Sequence, residues 1–235
     1  NVLSALWEIL SVFLGKVLYL MTMVYGIGEL YAGLSQSRVF LHILLFLTGI
    51  GALMNTHLFN PTRDKYYAMF LLRMDAREYT LVNYLYSIGK VILGFLPFAV
   101  LFGLNRGVPL WLCLLLPFSI AGMKLWVAGV SLWEYEKKGT GYNENKLSKY
   151  LWGVGALLLA AAYGLPALGM VLPEIASAIL FSLCIPMGAA GLWKVLNFRE
   201  YRAVNQELLS SLTSQMDSAS QAVKKASEKK ISADT

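Results

Sequence analysis

Six stretches of the chain are apolar over about 20 residues, the length an α-helix needs to cross the hydrocarbon core of a bilayer. They cover residues 7–28, 39–59, 81–104, 108–133, 150–173 and 175–193. Glu8 and Lys16 interrupt the first, Lys90 sits in the third and Lys124 in the fourth, while the others hold no Asp, Glu, Lys or Arg. The pattern predicts an all-α, polytopic membrane protein. Its six-helix transmembrane domain occupies 1–194, and 195–235 forms a cytoplasmic amphipathic helix and mobile polar tail.

Composition supports the same class. Of 235 residues, 57% are apolar and 14% charged, and the mean hydropathy is +0.56. A soluble domain carries about 25% charged residues, so a water-soluble fold would lack polar groups to cover its surface. Cys113 and Cys184 lie in apolar runs without ligand-like neighbours. They read as small buried residues, which excludes a disulfide scaffold and a zinc module.

The net charge of +6 changes the picture through its placement. Arg63, Lys65, Arg73 and Arg77 fall between spans two and three, and Lys137, Lys138, Lys146 and Lys149 between four and five. Lys194, Arg199, Arg202, Lys224, Lys225, Lys229 and Lys230 follow span six, whereas the opposite face holds only Arg38 and Arg106. Cationic connections stay on the cytoplasmic side, so both termini are expected inside (N-in/C-in) at the cell membrane. The positive charge then points to a membrane and away from nucleic acid. Trp7, Trp133, Tyr150, Trp152 and Trp193 fall near span ends on that side, where amphipathic rings prefer headgroups. The first apolar run is too long for a signal-peptide core and lacks a basic leader. External connections are short, so a macromolecular partner is expected in the cytoplasm.

The segment 60–79 is the most informative. Asn60-Pro61-Thr62 favours a turn that ends span two. Thr62 or Asp64 then caps a short helix over 65–74, and Asp75 with Glu78 forms a capping-box-like pair opening the next helix. Tyr66, Phe70 and Arg73 share one face of the short helix, with Met69 and Leu72 elsewhere, a mixed character suited to the membrane surface. Residues alone leave it as a juxtamembrane elbow or a partner-docking surface.

The run Leu72-Arg73-Met74-Asp75-Ala76-Arg77-Glu78-Tyr79, followed by Lys90 inside the next span, resembles the corresponding region of ABC-2 type ABC transporter permeases. The likeness covers residues 7–200. It implies a coupling helix between spans two and three, docked on a separate ATP-binding cassette subunit through Arg63, Lys65, Tyr66, Phe70, Arg73, Asp75, Arg77 and Glu78. It also implies a second cytoplasmic contact at 134–149, and a second permease half, identical or homologous. Many such permeases have a longer polar or re-entrant segment before the last span; here only Gly164, Pro166, Gly169 and Pro173 punctuate that region. Gly15-Lys16 and Gly89-Lys90 lack the upstream glycine and the following Ser/Thr of a phosphate-binding loop. The chain is therefore expected to bind no cofactor, with ATP-Mg held by the partner, and to export a peptide, lipid-like or amphipathic substrate.

Ammonium groups inside spans are costly and mark candidate functional sites. Lys16, Lys90 and Lys124 are such candidates, set against snorkelling of their long chains toward the inner face. His42 and His57, about 22 Å apart along a helix, cannot share a metal and read as packing residues. No catalytic constellation is visible, so no enzymatic role is expected. Glycine and alanine clusters in spans two, five and six favour close helix packing, and Pro97, Pro117, Pro166 and Pro186 can bend their helices. Phe198, Tyr201, Val204, Leu208, Leu212 and Met216 fall on one side of a helix over 195–216, facing lipid or a partner. The alternatives to an exporter are a secondary carrier, which would need midplane ion-coupling groups, and a non-transport assembly or sensor subunit.

Overall fold

The computed structural model describes residues 2–56, 58, 65, 67–139 and 149–207, of which 2–6, 8, 9 and 70 are described by their backbone only. These residues form helices and no strand. Among the described residues, six helices are long and apolar enough to cross a membrane.

Helix α1 (Val2–Tyr19) continues through a widened turn, Leu20–Gly26, and a tight one, Glu29–Tyr31. A side chain on Gly26 would meet the Met21 carbonyl at 2.9 Å, so glycine is what the widened ladder tolerates there. α2 (Gln36–Met54) follows, then α3 (Ala76–Asn105), α4 (Leu110–Lys138), α5 (Lys149–Ala167) and α6 (Glu174–Asn197). α3 and α4 join through a tight C-terminal cap. Gly107 adopts a left-handed φ of 78°, and the Val108 and Gly107 amides return to Gly103 and Leu104 oxygens. The same device at Gly169 (φ 78°) ends α5 at Ala167, short of the expected 173. There the Met170 and Gly169 amides close on Leu165 and Pro166.

Glycine decides the closest helix pair. A side chain on Gly188 would meet the Gly122 Cα at 2.4 Å, and one on Gly191 the Leu125 carbonyl at 2.2 Å. α4 and α6 therefore touch backbone to backbone, and Ser119 Oγ donates to the Phe181 oxygen across them at 2.8 Å. α3 packs on α4, α5 on α2, and α1 lies along α3. Two apolar cores result. One fills the α3–α4 turn end, with Phe40, Leu44, Leu112, Leu116 and Phe181 buried. The other fills the end carrying the 60–79 elbow, around Tyr84, Leu132, Val195 and Phe198.

Three sequence expectations change at the elbow end. The 65–74 helix is shorter: a widened turn, Tyr67–Leu71, gives way to a bend at Leu72 and left-handed Arg73 (φ 51°). Residues 60–64 and 66 lie outside the described residues, as do His57, 140–148 and the chain beyond 207. The continuous helix expected over 195–216 breaks after Asn197. Phe198 is extended (φ −68°, ψ 136°) and the helix restarts over 201–207. The break lets Phe198, Tyr201 and Val204 turn into the elbow-end core, where each is buried. Their apolar side faces this protein's own helices. The expected contacts of Leu208, Leu212 and Met216 lie outside the described residues.

Candidate functional site

Lys16, Lys90 and Lys124 come from three helices and line one cavity of about 440 Å³ between α1, α2, α3 and α4. Lys90 follows the start of α3 by about 14 residues and Lys124 precedes the end of α4 by about as many, roughly 21 Å along each axis. Both therefore lie at one depth, and the chains turn inward together.

Each ammonium has a distinct setting. Lys124 Nζ donates to the Gly51 oxygen at 3.3 Å and to the Asn55 oxygen. These carbonyls close α2, whose last turn carries partial negative charge. α2 stops at Met54 rather than 59: Asn55 leaves helical geometry (φ −144°, ψ 57°) with its amide on the Gly51 oxygen, and Lys124 of α4 meets the chain at this end. Lys16 Nζ lies 5.4 Å from the Phe95 ring centre, and Lys90 Nζ 4.4 Å from that of Tyr86, both within cation–π range. Gly94 makes room for Lys16. A side chain there would press on Lys16 Cγ and the Val12 carbonyl, each at 3.0 Å.

Ser11, Tyr19, Thr48, Asn55 and Ser87 add polar groups to the wall, and Leu47, Val91 and Ile120 apolar ones. Among the described lining residues the formal charge is three positive and none negative. A lysine at the centre of a span costs about 2.5–3.5 kcal/mol on insertion scales, so three lining one cavity concentrate positive charge at a substantial cost. Asn55, Ser87 and Tyr19 are site residues that sequence reasoning missed. The equal offsets of Lys90 and Lys124 from their helix ends were the available signal for the cluster.

The elbow forms a second basic site. Arg73, Arg77, Arg199 and Arg202 surround a cavity of about 740 Å³ together with Asp75 and Tyr201. Asp75 caps α3 by accepting from the Glu78 amide at 2.9 Å. Arg73, Asp75, Arg77 and Glu78 are exposed, and Arg77 Nη2 also donates to the Leu196 oxygen at 2.7 Å. Asn205 Nδ2 donates to Thr80 Oγ1 at 3.2 Å, fastening the 201–207 turn to α3. Lys65 is placed differently from its expected docking partners: it is buried and donates to the Leu58 oxygen at 3.0 Å. Arg63, Tyr66 and the Phe70 side chain lie outside the described residues. Of the second expected contact, 134–149, Glu136 is held by Lys194 of α6, whose Nζ lies 2.6 Å from Oε1 and 2.5 Å from Oε2.

At the far end Arg106 gathers the short connections. Its guanidinium is 2.8 Å from Glu29 Oε1, 2.6 Å from Gln36 Oε1 and 2.8 Å from the Tyr25 oxygen, and stacks 3.8 Å from the Tyr25 ring centre. His42 packs nearby as expected. The Leu172 amide donates to Nδ1 (3.3 Å) and Nε2 lies 3.1 Å from the Ala161 oxygen, which assigns a neutral ring protonated on Nε2. Among the described residues no group of three His, Cys, Asp or Glu could hold a metal. No protein-family model, curated protein or solved structure matches the chain.

Proposed function

We propose that this chain is the membrane permease subunit of an ATP-driven exporter of the ABC-2 type. In this reading the elbow end faces the cytoplasm, as the cationic connections favour. Separate ATP-binding cassette subunits, carrying ATP-Mg, dock there, and a second permease half completes the pathway. Its substrate is a peptide, lipid-like or amphipathic molecule.

One observation carries the reading. α3 is a single helix of 30 residues, about 45 Å long, that begins at the exposed basic elbow, carries Lys90 into the cavity and ends beside Arg106. Force applied at Arg73 and Asp75 would run along this continuous helix to the cavity and, past Pro97, to the far-end contacts. Closure of ATP-loaded partners would tilt α3 and loosen Arg106 from Glu29, opening the pathway on the far side.

Purification of the native complex tests this directly. An ATPase subunit should accompany the chain, and R73E should leave hydrolysis running while substrate movement stops. Recovery of the chain without any ATPase, or full coupling in R73E, would reject the proposal. A secondary carrier is the second reading. The clustered ammoniums of Lys16 and Lys90 favour it as groups able to couple an ion, and it requires transport by the chain alone under an ion gradient.

A further inference from the structure

We propose that the arginine-lined cavity at the elbow end binds the phosphate of an anionic phospholipid, gripped by Arg199 and Arg202. Arg73 of the elbow and Arg77 in the first turn of α3 add positive potential to the same cavity.

Phe198, Tyr201 and Val204 are buried, which leaves Arg199, Arg202 and Gln206 on the exposed side of the same segment. That segment is fixed in place, because the Tyr201 hydroxyl donates to the Val195 oxygen and Asn205 donates to Thr80 of α3. An anchored scaffold therefore presents the two guanidiniums. Among the described residues neither forms an ion pair. Asp75, the one carboxylate among the described lining residues, is engaged as the cap of α3. Guanidinium forks match phosphate oxygens in pairs, and a cavity of about 740 Å³ lies within the usual range for a ligand of headgroup size.

Depth selects a lipid as the source of the phosphate. Val82 and Tyr86 of α3 are exposed, as are Trp193 and Leu196 of α6 just before Arg199. The outward apolar face of α3 thus begins about five residues past Arg77, or about 7.5 Å along the axis. Headgroups add about 5–7 Å on each side of the hydrocarbon core, so the cavity stands at their level. Exposed Leu71, Leu72 and Met74 beside Arg73 give it an apolar rim for the first acyl carbons.

The test uses the full chain purified in a neutral detergent and titrated with dioleoyl phosphatidic acid or dioleoyl phosphatidylcholine, followed by native mass spectrometry, with inorganic phosphate as competitor. Phosphatidic acid should bind at least tenfold more tightly than either phosphatidylcholine or inorganic phosphate. R199Q/R202Q should lose at least tenfold in affinity for phosphatidic acid. K137Q/K149Q, which removes the same charge from exposed lysines, should stay within twofold of the wild type. If R199Q/R202Q fails to fold, R199Q and R202Q are compared singly. Equal losses in the arginine and lysine variants would show diffuse attraction to a basic surface and overturn the site. Undiminished binding by every folded glutamine variant of Arg199 and Arg202 overturns it too. Inorganic phosphate that competes as an equal overturns the lipid assignment, and equal binding of the two lipids leaves an acidic protein segment as the occupant instead. The site does not rest on the exporter reading. Because no ATPase enters the test, its failure leaves that reading standing, and a chain recovered without an ATPase leaves this site standing.

Discussion

The Arg106 guanidinium and the Glu29 carboxylate meet at 2.8 Å, yet the two side chains are 7% and 58% exposed. The pair is therefore unequal. Arg106 also holds Gln36 and the Tyr25 oxygen, so R106A strands several acceptors at once. Hydrogen bonds to charged groups contribute about 1.5–3 kcal/mol each, and R106A should destabilise the protein by about 3 kcal/mol. E29Q removes one exposed charge and should cost no more than about 1 kcal/mol. Thermal unfolding of both variants in detergent checks this; equal losses would show that the ion pair, not the guanidinium's wider contacts, holds this end together.

The glycines of span six are not interchangeable with those of span five. Alanine at Gly188 would place a carbon 2.4 Å from the Gly122 Cα, where only backbone could move aside. Overpacking costs typically about 1–3 kcal/mol, and G188A should lie at the upper end because two helices must separate. Gly153 and Gly164 have nothing within 4 Å, so G153A and G164A should be neutral or slightly stabilising, given alanine's better helix propensity. A melting-temperature series over the three variants decides the point, and a G188A protein as stable as G153A would contradict the packing.

That contrast marks what the sequence could carry. Apolar runs and their lengths specify six helices because bilayer thickness leaves little choice. The Asp75 cap was legible for the same reason: a short acidic side chain before a helical run has one nearby use. Which glycines touch was not, since Gly153 and Gly188 sit in similar local sequence and differ only in what lies opposite. The lysine cluster was partly legible. Each lysine stood out singly as a charge in an apolar run, but the turn of Lys124 toward the end of α2 is a tertiary relation with no local signature. The inward fold of Phe198 and Tyr201 was hidden by a periodicity that runs straight through the break at Asn197. The elbow was read as a helix because nothing in its sequence announces a left-handed arginine.

Arg73 allows charge and backbone to be separated. Its φ of 51° lies in the left-handed region, which costs a residue with a Cβ about 1–2 kcal/mol and glycine little. R73G should therefore stabilise the elbow by about 1 kcal/mol or leave it unchanged, while R73E should leave it no more stable than the wild type. Under the exporter reading both abolish the positive contact, so both should weaken binding of the ATPase subunit. Arg77 is a poorer probe because it also bonds Leu196. Comparing melting temperature with ATPase co-purification separates the effects; R73G that destabilises the protein would contradict the backbone argument.

Tyr201 links the elbow-end core to pH. Its hydroxyl donates to the Val195 oxygen at 2.7 Å from a buried position. Burial raises the phenol's pKa above its ordinary value, and Arg77, the smaller influence, pulls it down. The unfolded chain gives up this proton near pH 10, before the folded protein does. The stabilisation is thus fully present below about pH 10 and declines as pH rises from there toward the folded pKa. Y201F should cost about 1 kcal/mol near neutrality through the lost hydrogen bond, and should remove the share of the alkaline decline that belongs to one proton. Chemical denaturation in detergent between pH 8 and about 11 measures both effects; identical alkaline slopes for wild type and Y201F would show that this phenol ionises equally readily in the folded and unfolded chains.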